Sequence, residues 1–186
     1  MMKGVLALFA LALAFAARAE APRTWPISSQ RSFVQFSVRT LWFTHERGRF
    51  DAVYGQLQRS EADRDVVDAW IDAASLQMDD ADALEQARGP GFFDVAQYPR
   101  IHFVSSPFAD TLLRDGGTLE GILDLRGERR WVQFTLLPSS CATQPLTCAI
   151  RLRGTLSRRA FGMRAHRALL SDKVALDLDI VLGEPG

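Results

Sequence analysis

No asparagine occurs anywhere in the 186-residue chain, so it offers no acceptor for N-linked sugar. Lysine is almost as scarce: Lys3 and Lys173 are the only two, and arginine supplies nearly all the positive charge, a bias common in proteins from GC-rich bacterial genomes. The three histidines, His45, His102 and His166, stand far apart. With no H-x-x-x-H or H-E-x-x-H spacing among them, they read as surface or rim residues rather than metal ligands or catalysts. No serine sits in a G-x-S-x-G turn, which removes the signature of a nucleophile elbow. No apolar run reaches the ~20 residues that span a bilayer. Acidic and basic residues balance at 22 each, so the strongly basic face that nucleic acid requires is missing.

The amino terminus has three recognisable regions. Met1-Met2-Lys3-Gly4 is followed by an apolar stretch from Val5 to Ala17 and then by Ala17-Arg18-Ala19, the layout of a secretory signal peptide cleaved after Ala19. The expected organisation is a leader over residues 1–19 and one domain over residues 20–186, with Glu20 as the first residue of the exported form. Cys141 and Cys148 are the only cysteines, and an even count in an exported chain reads as a disulfide. Their spacing does not suit a C-x-x-C redox pair, and no histidine lies nearby in sequence to complete a zinc site.

Beyond the leader, apolar residues recur at every second position. Val34, Phe36 and Val38 alternate with Gln35, Ser37 and Arg39; Ala69 and Ile71 alternate with Asp68, Trp70 and Asp72. The same period runs through Leu119 to Leu125, Val132 to Leu136, Ile150 to Leu156 and Val174 to Ile180. With Gly48 to Leu57 and Arg100 to Ser105, this predicts an all-β chain of about eight antiparallel strands, each with one wet and one dry face. Asp115-Gly116-Gly117 and Arg126-Gly127-Glu128 are expected as hairpin turns. One short helix is expected, capped by Asp79 or Asp80, running from Ala81 to Ala87 and stopped by Gly89-Pro90-Gly91. Eight such strands can close as a barrel or stack as a sandwich. Gly121 and Gly154, on otherwise apolar faces, suggest space for a cavity.

The stretch Gly91-Phe92-Phe93-Asp94-Val95-Ala96-Gln97-Tyr98-Pro99-Arg100-Ile101-His102-Phe103-Val104-Ser105 turns a helical segment into a strand. Read as F-F-D-V-x-x-Y-P-x-I-x-F-x-S, it resembles the signature of the YceI-like family. The resemblance continues in Ser32–Val38, Gly48-Arg49-Phe50, Leu119–Gly127 and Ser157–Met163, in the family's order. It implies a lipocalin-like β-barrel outside the cytoplasm, in the periplasm, that binds polyisoprenoids or related lipids such as isoprenoid quinones. The family's late acidic residue before Phe-Gly is Ala160 here.

On that reading Phe36, Ile71, Phe103, Leu123, Phe134, Leu152 and Leu178 line a tunnel, with Phe161 and Met163 near its mouth. No catalytic residue, metal or cofactor is expected, and the ligand would be a long apolar lipid. Phe92 and Phe93 read as plugs or as the wall of a mouth, and Phe161-Gly162-Met163 as a gate or a bulge. Arg158, Arg159, Arg164 and Arg167 read as a solvated basic loop or as a cationic rim for a lipid phosphate or brief contact with a membrane surface. Two other functions stay open. One is a non-catalytic interaction protein for a stress response or a membrane redox partner, favoured by an apolar patch outside the barrel. The other is a lipid-modifying enzyme, which would need titratable groups converging inside.

Overall fold

A computed structural model describes residues 23–41, 44–60, 64–141 and 143–186. The expected leader and its cleavage site after Ala19 lie outside the described residues. In chain order the strands are β1 (Arg23–Pro26), β2 (Phe33–Thr40), β3 (His45–Phe50), β4 (Val53–Arg59), β5 (Arg64–Asp72), β6 (Leu76–Gln77), β7 (Arg100–Ser105), β8 (Phe108–Ala109), β9 (Gly117–Leu125), β10 (Glu128–Leu136), β11 (Ile150–Ser157) and β12 (Leu170–Ile180). Helix α1 (Ala81–Arg88) follows β6, and a second, unexpected helix, α2 (Thr111–Asp115), follows β8.

The described residues thus hold twelve strands, not about eight. The extra ones arise because long strands are broken. β3 and β4 are separated only by Asp51 and Ala52, and both pair with the chain from β5 to β6: Val53 faces Ile71, and Phe50 faces Leu76. Between β5 and β6 the chain makes a single 3₁₀ turn, Ala73–Ser75, whose start is capped by Asp72 accepting from the Ala74 amide at 2.9 Å. Similarly β1 and β2 follow one course, β1 along β4 and β2 along β3, and the tail after β12 pairs back through Ile27 and Leu182. The Gly183 amide there donates to the Pro26 carbonyl at 2.7 Å.

The sheet order β1-β4-β5-β7-β9-β10-β11-β12-β2-β3-β6 therefore curls round on itself. β3 runs covalently into β4 and completes the ring, which removes the free edges an open sheet would present.

Local chemistry explains the joints. Arg126 and Gly127 take φ of 57° and 74° between β9 and β10, the left-handed pair of a tight hairpin whose twist matches the strands. Asp115-Gly116-Gly117 is not a hairpin turn: Gly116, at φ 76°, ends α2 and aims the chain into β9. Asp80 caps α1 by accepting from the Ala83 amide at 2.7 Å, and Gly89 ends it. β10 and β11 pair as expected, and a Cys141–Cys148 disulfide, with Cα atoms 5.8 Å apart, ties the loop between them.

Candidate functional site

The two ends of the barrel differ. At one end Ile27, Phe108, Leu113, Leu136 and Leu182 are all buried and form the floor of the interior. Also at this end, Asp65 is completely buried and accepts two bonds from Arg59, at 2.7 and 2.8 Å. Such a forked pair satisfies a carboxylate that burial alone would penalise heavily. This end is closed.

Between the ends lies a cavity of ≈ 640 Å³, within the ~300–1,000 Å³ of ordinary small-molecule sites. Its walls are the inward faces of the strands. Ile71, Phe103, Leu176 and Leu178 point inward by the alternation of β5, β7 and β12, yet stay only partly buried because part of each faces empty space. All nine residues singled out from the sequence, Phe36, Ile71, Phe103, Leu123, Phe134, Leu152, Phe161, Met163 and Leu178, line this one cavity.

The glycines do not make that cavity. A Cβ on Gly154 would sit 2.6 Å from Phe134, its cross-strand partner, and one on Gly121 would meet first the Val104 carbonyl oxygen and then, at 2.6 Å, the Phe103 ring on the neighbouring strand. Gly48 is covered in the same way by the ring of Phe36 opposite it. The space a side chain would have taken is filled by aromatic rings lying across the glycines, as happens where a ring shields an exposed backbone. The reading of Gly121 and Gly154 as open space is corrected accordingly.

The roof at the other end is held by two arginines. Arg158 is only 4% exposed. It donates to the carbonyls of Ser171 (2.9 Å), Met163 (3.1 Å), Ala165 (2.7 Å) and Leu170 (3.2 Å). Burial lowers its pKa, partly countered by the charge of Asp172, and an arginine so placed still keeps its proton. Arg126 donates to the carbonyls of Gly162 at 2.7 Å and Pro90 at 2.6 Å, joining the loop after α1 to the loop after β11. Arg158 is therefore no part of a cationic rim, and Arg159 is paired with Asp172 at 2.9 Å. Arg164 and Arg167 are exposed.

Phe161 and Met163 belong to this roof. They are 2% and 5% exposed, so they do not stand at a mouth. Phe93 packs against Phe36 and Phe50, with ring centroids 5.6 and 5.2 Å away, and acts as a plug. Phe92 lines the cavity's edge and stacks on His166 at 5.9 Å. Phe93 lines the cavity as well, so both rings belong to its wall.

The mouth lies elsewhere, where polar groups enter the lining: Thr40, Thr44, Glu46, Asp80, Asp82, Gln86 and His166. The hydroxyls of Thr40 and Thr44 are 2.6 Å apart. The Glu46 carboxylate, on a partly buried residue, has no hydrogen bond or ion pair among the described residues. Sequence reasoning missed this group, although Glu46 is in phase with Gly48 and Phe50, so the alternation itself puts its carboxylate on the inner face.

The other histidines lie outside the lining. His45 is exposed, and His102 faces out, stacked on Trp70 at 3.6 Å with Nε2 2.7 Å from an Asp68 oxygen. Among the described residues no three His, Cys, Asp or Glu side chains gather as a metal-holding group.

Residues 25–182 match the family described as the YceI-like domain. Among solved structures, the chain is similar to Burkholderia cenocepacia BcnA (TM-score 0.66, 20% identity, covering 85% of this chain and 99% of that one). It is similar also to a polyisoprenoid binding domain from Saccharophagus degradans implicated in plant cell wall breakdown (TM-score 0.60, 18% identity, 84% and 95% covered). A third is the Campylobacter jejuni YCEI protein (TM-score 0.52, 16% identity, 74% and 84% covered). At these identities the likeness is one of fold. No curated protein matches.

Proposed function

We propose that this chain, which belongs to the YceI-like family, is a lipid-binding protein that encloses a long apolar tail of the polyisoprenoid or isoprenoid-quinone type. The observation that carries the reading is the ≈ 640 Å³ cavity, apolar along its length and polar at one end only. Each CH₂ moved out of water gains ~0.8 kcal/mol, so a prenyl chain cannot cross an aqueous compartment unaided, and a dry barrel supplies the shelter. At roughly 30 Å³ per heavy atom, the share of a water in the liquid, the cavity takes on the order of twenty atoms; a longer tail would run out through the mouth.

Phe36, Ile71, Phe103, Leu123, Phe134, Leu152 and Leu178 would contact the tail, with Phe161 and Met163 capping it from the roof. Catalysis is not part of this reading, because the one buried ionisable group at the roof, Arg158, is committed to four carbonyls. We place the protein in the periplasm. The sequence-level leader and a disulfide, which persists in oxidising compartments, support that address.

The test is native mass spectrometry with lipid extraction of protein purified from its own periplasm. A bound prenyl lipid is expected. Protein that carries none, and that also takes up no added farnesol or geranylgeraniol, would overturn the proposal.

A second reading, an interaction protein, draws on the outer wall. Tyr54, Trp70 and His102 face one another in register across β4, β5 and β7, and Val104, Ile122 and Trp131 do so across β7, β9 and β10. Trp131 is 55% exposed. Aromatic and apolar side chains on the outside of a barrel serve no internal ligand. Loss of a pulled-down partner in Trp131→Glu, with prenyl uptake retained, would separate this reading from the first.

A further inference from the structure

Few large apolar side chains of the described residues are exposed, and two of them touch the same spot. Leu41 is 60% and Leu169 49% exposed, and the Leu41 amide donates to the Leu169 carbonyl at 3.0 Å. This pair continues the β2–β12 ladder past Thr40 and Leu170, at the end of the barrel where the cavity opens, and Leu169 itself lines the opening. Neither leucine supports the core, and leaving both in water is costly.

Positive charge surrounds them. Arg39 precedes Leu41 by two residues on β2 and faces out, Arg47 faces out from neighbouring β3, and Arg164 and Arg167 are exposed in the loop leading to Leu169. None of the four is paired with a carboxylate among the described residues, unlike Arg49, Arg59, Arg114, Arg126, Arg130, Arg153 and Arg159; what distinguishes them from the other unpaired surface arginines is their place around the two exposed leucines. Of the acids at this end, Glu46, Asp80 and Asp82 line the opening, and Asp172 is paired with Arg159.

The geometry points to the Leu41–Leu169 edge as a docking tip for an anionic lipid bilayer: the two leucines enter the interfacial layer while Arg39, Arg47, Arg164 and Arg167 meet lipid phosphates. Apolar side chains ringed by arginine are the composition by which a protein rests in a membrane interface without spanning it. Docking there brings the mouth to the surface from which an apolar tail would be drawn, so the inference rests on the lipid-binding reading and adds where loading happens. Helix α1 borders the same loop, with Asp82 and Gln86 beside Ala165 and His166, so the docked pose leaves its carboxylates in water.

The full exported chain is tested by co-sedimentation with vesicles of phosphatidylglycerol and phosphatidylcholine in equal parts, against phosphatidylcholine alone. Binding to the anionic vesicles is expected, weakening as salt rises from about 0.1 to about 1 M and the screening length falls from ~10 to ~3 Å. Each arginine contributes on the order of fivefold in affinity, so Arg164→Ser with Arg167→Ser should weaken binding at least tenfold, and Leu41→Glu should abolish it. Uptake of farnesol from free solution reads the cavity separately. Farnesol uptake without anionic-vesicle binding would overturn the docking tip and leave the lipid-binding reading standing. Vesicle binding insensitive to Leu41→Glu and to the double arginine variant would also overturn it. No farnesol uptake at all would count against the lipid-binding reading on which it rests.

Discussion

The ring of Phe134 on β10 lies across Gly154 on β11, close enough that a Cβ there would meet it at 2.6 Å. The pair works as one unit of the wall: the glycine makes room, and the ring covers the bare backbone and turns its other side to the cavity. Gly154→Leu should therefore not slip into free space. It should overpack the wall and cost about 1–3 kcal/mol, seen as a lower midpoint in denaturant melts. Combining Gly154→Ala with Phe134→Leu should recover part of the loss, because the two residues are in contact and their effects do not add. Additive costs would show that ring and glycine act independently.

The inner faces were legible because a period of two is a strong signal when one face is dry, and Phe36, Ile71, Phe103, Leu123, Phe134, Leu152 and Leu178 all fall on that side. The breaks in the strands were not. Asp51-Ala52 and Ala73–Ser75 interrupt the hydrogen-bond ladder without disturbing the overall course of the strand, so alternation alone merges what they divide. The arginines show the other limit. Arg158, Arg159, Arg164 and Arg167 look alike in sequence; one is buried because four carbonyls of a returning loop converge on it, one pairs with Asp172, and two remain in water. That convergence is set by how the loop closes, which no local pattern records. Glu46 was legible and overlooked, since a charged residue in an inner-face phase is itself a sign of a wet opening.

Arg158 should be the most sensitive polar residue of the roof. Hydrogen bonds from a charged donor each contribute roughly 1.5–3 kcal/mol, and only some of the abandoned carbonyls can reach water. Arg158→Met is expected to cost about 3–5 kcal/mol and to raise amide exchange over residues 163–171. Arg158→Lys should recover little, because an ammonium lacks the fork that spans four acceptors. A variant with native stability and native exchange in that loop would show the clamp to be dispensable.

Asp172 contributes a defined acid sensitivity. A side-chain hydrogen bond from Arg159 leads the causes that lower its pKa to about 2; burial opposes it next, and bonds from Ser157 and the Arg159 amide add to the lowering. A carboxylate depressed in the folded state stabilises fully above its unfolded pKa of ~3.9 and loses that contribution as pH falls through the folded value. The wild type should therefore lose stability between about pH 4 and pH 2 more steeply than Asp172→Asn, in melts followed across that range. Parallel profiles for the two proteins would reject the linkage.

Glu46 bears on which head group the mouth accepts. An apolar tail in the cavity leaves its polar head at the wet end, because burying a head deeper would strip it of water without a partner. There it meets Glu46, Asp80 and Asp82, with a single imidazole, His166, as the only basic side chain of the lining among the described residues apart from the committed Arg158. A prenyl alcohol can donate to these carboxylates and a quinone ring can stack beside the His166 imidazole, whereas a phosphate must approach like charge. A unit charge several ångströms away across a partly wet boundary alters affinity by roughly tenfold or more. Farnesol should accordingly bind more tightly than farnesyl phosphate, and Glu46→Gln together with Asp82→Asn should narrow the gap by strengthening phosphate binding. Asp177→Asn, on the outer face of β12, should leave the gap as it is. Competition titrations at low salt read the difference, and equal affinity of the wild type for the two lipids would show that the acidic lining does not select the head group.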